Sequence, residues 1–126
     1  MDKVTEIRPN LFLGDMFDAS SKRTLEETGI THILNASNDV PDAFRLSGEF
    51  QYLTLMIRDG FHSNFREKFT QAVFDWVSEA WSSGGRVLVH CRAGINRSAA
   101  CVVAILMWSE GLTLDAARSD VARKRV

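Results

Sequence analysis

Cysteine and proline are both scarce in this chain, and each scarcity narrows what it is. Two cysteines in 126 residues cannot staple a small secreted scaffold, so the fold must rest on an apolar core in a reducing compartment. With two prolines and no repeat, linker or low-complexity tract, nothing divides the chain. Its length and 45% hydrophobic content suit one core, and we expect a single domain over residues 1–126. No charge sign dominates either: the net charge is −1, which gives no global field for nucleic acid or membrane, so neither is expected as a partner. The longest apolar run is about half of a membrane span. Met1-Asp2-Lys3-Val4-Thr5-Glu6 has no apolar signal core, and no glycine follows Met1 for myristoylation, so a soluble, cytoplasmic location is expected, with the nucleus also open to it. No cluster of ligating residues calls for a metal, and no cofactor is expected.

What the chain does have is concentrated in His90-Cys91-Arg92-Ala93-Gly94-Ile95-Asn96-Arg97-Ser98. Arg86 to Val89 before it reads as a short buried strand, and Ala99 to Trp108 after it is an apolar run of core-helix length. The loop therefore opens a helix, where orphan N–H groups, a positive dipole end and successive amides attract an anion. The same field favours a thiolate, placing Cys91 within the roughly 3.5–7.5 pKa range of activated cysteines, against about 8.5 when free. Arg97 adds a permanently charged planar fork that holds two phosphate oxygens at once. Gly94 lets the backbone pass close to the anion.

Elsewhere strands and helices alternate. Leu11 to Gly14, Ile30 to Asn35 and Tyr52 to Ile57 read as strands, and Ser20 to Thr28 as a helix stopped by Gly29. A polar loop runs from Asn38 to Asp42. Phe65, Phe69, Ala72, Val73, Trp76, Val77 and Ala80 recur at helical spacing, a core stripe that Ser63 or Asn64 caps and Ser83-Gly84-Gly85 ends. Thr113 caps a last helix with Leu114, Ala117 and Val121 on one face and Arg123 to Arg125 complementing its dipole. The alternation implies an α/β fold, a central mostly parallel sheet flanked by helices, with the ligand outside the carboxyl ends of the strands.

The pattern His-Cys-x-x-Gly-x-x-Arg-Ser/Thr resembles that of the cysteine-based protein tyrosine phosphatase superfamily, and Ala93-Gly94 is most like its small, atypical dual-specificity branch. The resemblance extends over nearly the whole chain, including Ile7 to Gly14 and Gly29 to Asn35. It implies the phosphatase-like fold and metal-independent hydrolysis of phosphomonoesters on signalling proteins, at phosphotyrosine and phosphoserine/phosphothreonine, through a phosphocysteine. By the same resemblance Cys91 is the nucleophile, Arg97 binds the phosphoryl group, Ser98 donates to the departing sulfur, and His90 orders the loop and helps lower the thiol pKa. Arg92, Ala93, Gly94, Ile95, Asn96 and Arg97 would bind the phosphate. Family members continue past the basic stretch with a further helix, whereas this sequence stops at Val126. The C-terminal helix is therefore expected to be short or truncated, with some apolar surface expected bare or covered by a partner, and oligomeric state is open.

An alkoxide leaves poorly, so this chemistry needs a general acid on a nearby loop. Asp59, after a strand and before Gly60, lies 32 residues ahead of Cys91, close to the family separation. Asp75 and Glu79 fall in a helical pattern; Asp39 and Asp42 flank Pro41 and are the next candidates. Arg92 is similar to a lysine of phosphoinositide phosphatases and Asn96 to RNA 5′-phosphatases, so both substrate classes are alternatives. A non-catalytic phosphate-binding module and a rhodanese-like sulfurtransferase are others, although five residues between Cys91 and Arg97 span a phosphate. Cys101, on the apolar helix, reads as a packing residue, with a redox partner for Cys91 as the alternative.

Overall fold

Short apolar strands separated by amphipathic helices set the architecture. The computed structural model describes residues 4–60, 63–93 and 96–125. Its strands are β1 (Thr5–Arg8), β2 (Leu11–Gly14), β3 (His32–Ser37), β4 (Gln51–Ile57) and β5 (Val87–His90); its helices are α1 (Met16–Ala19), α2 (Lys22–Thr28), α3 (Phe65–Lys68), α4 (Gln71–Ser82), α5 (Arg97–Glu110) and α6 (Leu114–Lys124). The strands form one sheet in the order β1-β2-β5-β3-β4. All neighbours are parallel except the β1–β2 pair at one edge. In β5 and β3 every residue is buried, as befits strands covered on both faces.

Alternation along the strands divides the core. Leu11, Leu13, Leu34, Val87 and Val89 face the cluster that holds Val73, Val77, Val102, Ile105, Leu106, Ala117 and Val121 from α4, α5 and α6. Phe12, Ile33 and Leu88, one step out of phase, join Leu25, Ile30 and Phe50 on the other face. Each such fully buried side chain stabilises by about 1.5–3 kcal/mol. Among the described residues no helix is long and apolar enough to cross a membrane.

Several local expectations change. The stretch read as one helix from Phe65 onward is two: Phe69 is extended, and Thr70 becomes the N-cap of α4. Phe65 and Phe69 stack on each other at 5.1 Å, and the break lets Val73, Val77 and Ala80 face the sheet. Strand β1 carries only one fully buried apolar residue, Ile7, too weak a pattern to read. The Asp15–Asp18 capping box makes a separate turn of α1 ahead of α2. Leu114, expected on the buried face of the last helix, is half exposed. The basic end of α6 does more than meet its dipole. Lys124 Nζ donates to the Ile7 carbonyl at 2.8 Å, and Arg125 to the Leu13 carbonyl at 3.0 Å and Thr5 Oγ1 at 2.8 Å. Arg8 reaches back to Glu110 and Asp120, each at 2.7 Å.

His32 is buried in β3, edge-on to Trp76 at 5.4 Å, with its Nδ1 2.7 Å from Thr31 Oγ1. Burial pushes its imidazole below the ordinary range, so the native state favours the neutral ring. The unfolded chain takes up that proton near pH 6.5, and stability is therefore lost as pH falls through and below about 6.5. We expect the melting temperature to fall between pH 7.5 and 5.5 and the slope to flatten in His32→Phe; an unchanged slope would remove His32 as its source.

Cys101 is fully buried on α5 and its thiol is free. Burial pushes that thiol well above the ordinary range, and the proximity of Cys91 adds to the shift. Iodoacetamide at pH 7 should leave Cys101 unmodified in the native protein and alkylate it only after denaturation, as read by peptide mass spectrometry. Rapid native labelling would place Cys101 outside the core.

Candidate active site

The site forms where β5 stops. Its parallel pairing with β2 and β3 sets Gly14, Asn35 and His90 at one level, and the chain leaves the sheet at Cys91 to enter α5 at Arg97. Cys91 is 2% exposed. Its Sγ lies 3.1 Å from Ser98 Oγ in the first turn of α5, so a hydroxyl touches the sulfur at the positive end of a 14-residue helix. Beneath it, His90 is 1% exposed with Nδ1 3.4 Å from the Cys91 carbonyl. Burial pushes the His90 imidazole below its ordinary range, against the opposing pull of its bond to the Cys91 carbonyl. The Met16 amide donates to the Arg92 carbonyl at 3.1 Å, which fastens the loop to α1.

Arg97 is 5% exposed, and a buried guanidinium demands acceptors. Its Nη1 donates to the Ile57 carbonyl at 3.0 Å, to Asp39 Oδ1 at 3.0 Å and to Asn38 Oδ1 at 3.3 Å. Its Nε is buried without a hydrogen-bond partner among the described residues and lies 4.0 Å from Asp59 Oδ1. Asp59 itself is more than half exposed and accepts the Gly60 amide at 3.0 Å. Asp59, Arg97, Arg58, Asn96, Phe65 and Ala100 line a cleft of about 410 Å³.

The fold thus gathers Cys91, Arg97, Ser98 and Asp59, with His90 below. Arg92 sits exposed at the rim, its Nη1 4.0 Å from Asp39 Oδ2. Ala93 and Asn96 are exposed along the loop; Gly94 and Ile95 lie outside the described residues. The two reserve carboxylates fare differently. Asp39 is bound to Arg97. Asp42 accepts from Thr54 Oγ1 at 2.6 Å, Arg45 Nη1 at 2.8 Å and Asn35 Nδ2 at 2.9 Å. Burial alone would raise its pKa, yet these bonds hold it below the ordinary carboxylate range, and it braces the loop that carries Asn38 and Asp39. Sequence reading missed Asn38, Asp39 and the Ile57 carbonyl as acceptors for Arg97. The arginine lies 58 residues from Asp39 and 40 from Ile57, and no local pattern announces such partners. Among the described residues no group of three or more His, Cys, Asp or Glu side chains is placed to hold a metal ion.

Comparison with known proteins bears on the family and the fold. The family model described as "Dual specificity phosphatase, catalytic domain" matches residues 11–126. Dual specificity protein phosphatase 1-A of Xenopus laevis is 39% identical over 120 residues, which cover 95% of this chain and 32% of that protein. Dual specificity protein phosphatase 2 of Homo sapiens is 41% identical over 122 residues, covering 95% of this chain and 37% of that protein. The chain thus spans about a third of the length of the curated relatives it matches. Among solved structures, the human tyrosine phosphatase-like serine/threonine/tyrosine-interacting protein superposes with TM-score 0.86 at 34% identity, covering 99% of this chain and 85% of that one. DUSP15 superposes with TM-score 0.89 at 26% identity, covering 99% and 78%. A buried cysteine and arginine at the mouth of a parallel sheet, and a family match over almost the whole sequence, lead to one assignment: the chain belongs to the dual specificity phosphatase catalytic domain family.

Proposed function

We propose that this chain hydrolyses phosphomonoesters on proteins, at phosphotyrosine and at phosphoserine or phosphothreonine, through a phosphocysteine on Cys91. The observation that carries the reading is Arg97 Nε, a buried donor with no partner among the described residues, on a guanidinium whose Nη1 is already filled. A phosphate oxygen completes it. In the first step the Cys91 thiolate forms the S–P bond as the ester P–O bond breaks, and the leaving oxygen takes the proton of the Asp59 carboxyl. Arg97 and the loop amides hold the non-bridging oxygens as charge builds on them. Ser98 Oγ, 3.1 Å from the sulfur, stabilises the thiolate before attack and again as it departs. In the second step water forms the new P–O bond, its proton passes to Asp59, the S–P bond breaks, and phosphate leaves.

The rim supports this substrate class. Asp59 and Arg92 are both more than half exposed, so the acid and the outer cation stand at the surface, where long and short phosphorylated side chains reach them equally. With two cysteines in 126 residues and an apolar core in place of a disulfide framework, a reducing compartment, the cytoplasm or nucleus, suits this chain, and with it a role in signalling.

Phosphate release from phosphotyrosine and phosphothreonine peptides tests the proposal. Cys91→Ser should abolish turnover while leaving phosphopeptide binding largely intact, since Arg97 and backbone amides hold the anion; activity near wild type would remove Cys91 as nucleophile. Asp59→Asn should slow phosphotyrosine hydrolysis by the roughly 10²–10⁴-fold of a lost general acid, with a far smaller effect on a nitro-substituted aryl phosphate. The fall in rate at higher pH should also disappear. Equal losses on both esters would take Asp59 out of the mechanism.

A further inference from the structure

Strand β4 leaves its register before it ends. Asn35 pairs with Thr54 but Ser37 pairs with Ile57, so two steps along β3 face three along β4. The surplus residue is taken up at Met56, whose φ of 60° costs a non-glycine residue roughly 1–2 kcal/mol. That kink aims the segment from Ile57 to Asp59 at the site. The Ile57 carbonyl meets Arg97 Nη1 at 3.0 Å, and Asp59 comes to 4.0 Å from Arg97 Nε. Bulges beside a site commonly re-aim side chains in this way.

Asn64 holds the kink. The residue is 8% exposed; Oδ1 accepts the Arg58 amide at 2.7 Å, and Nδ2 donates to the Met56 carbonyl at 3.3 Å. One carboxamide thereby grips the chain on both sides of Ile57. Asn64 also occupies the N-cap position of α3, where asparagine ordinarily accepts from the helix, yet it makes no capping bond there. Ser63 Oγ takes the Phe65 amide instead, at 3.2 Å. A cap of that kind stabilises by about 1 kcal/mol, so its absence shows the side chain committed to the loop.

We propose that Asn64 is a positioning residue for the general acid. It fixes residues 56–58 so that the Asp59 carboxyl stands beside Arg97, and the shorter bond, to the Arg58 amide, carries the effect. The inference rests on Asp59 being the general acid. A purely structural Asn64 would slow every substrate alike when replaced; a positioning one slows those that need the acid.

The test is kcat/KM for an aryl phosphate with a poor leaving group and one with a nitro-substituted, good leaving group. It uses wild type, Asn64→Ala, Asn64→Asp, Asp59→Asn and the Asp59→Asn/Asn64→Ala double variant, with a melting temperature for each. Asn64→Ala should lose about tenfold or more on the poor leaving group, toward the 10²-fold that a 1 Å misplacement costs, and under about threefold on the good one. Its fall in rate at higher pH should weaken. Asn64→Asp, which still accepts the Arg58 amide, should restore the poor leaving group to within about threefold of wild type. In the Asp59→Asn background, Asn64→Ala should add less than about threefold, because there is no acid left to place. If Asn64→Ala does not fold, Asn64→Ser, too short to span both groups, takes its place. Equal losses on the two esters, full additivity, or no restoration by Asn64→Asp would overturn the proposal. If Asp59→Asn itself shows no dependence on leaving group, the acid assignment fails; if it does and Asn64→Ala does not, only the positioning role fails.

Discussion

A guanidinium only 5% exposed governs the arrangement of this site. Stripping a buried charge of its partners costs on the order of 3–5 kcal/mol, so the elements around Arg97 must deliver acceptors. They come from the ends of two neighbouring strands: Asn38 and Asp39 beyond β3, and the Ile57 carbonyl at the end of β4. All three converge on Nη1. The division of labour within one side chain is what gives the site its character. Protein acceptors saturate the rear of the fork, while Nε keeps a hydrogen that no acceptor among the described residues takes.

That demand propagates outward. The Asn38–Asp39 segment stays in place because Asn35 Nδ2 holds the Val40 carbonyl at 2.7 Å and Asp42 at 2.9 Å, and Asn35 Oδ1 accepts the Ser37 hydroxyl at 2.7 Å. On the opposite side the Asp15–Asp18 box pins α1 under the Cys91 loop. Burial, with Asp15 close by, holds the Asp18 carboxyl above its ordinary range. Two buried carboxylates side by side carry a penalty, here set against amide donors that fix where the Met16 amide points.

How much of this was readable from sequence depends on distance along the chain. Cys91, Arg97 and Ser98 lie within eight residues of one another, so a local pattern names them together. Asp59 followed from a requirement of the reaction plus a strand and a glycine beside it. The partners of Arg97 come from 40 and more residues away and one is a main-chain carbonyl, which no residue pattern encodes. Asn64 was legible only as a helix cap; its side chain does something else because the Met56 kink brings a donor and an acceptor within its reach. The break between α3 and α4 was hidden for a related reason. The apolar stripe continues through it, and hydrophobic period alone does not reveal where the backbone pauses.

The contacts between the basic end of α6 and the β1–β2 edge have a consequence for how the fold comes apart. Lys124 to Ile7 and Arg125 to Thr5 close loops of 117 and 120 residues, and the entropy for such closure rises only slowly with length. The sheet edge and the last helix consequently behave as a clasp. Opening it would free both extremities together, although they belong to different secondary structures.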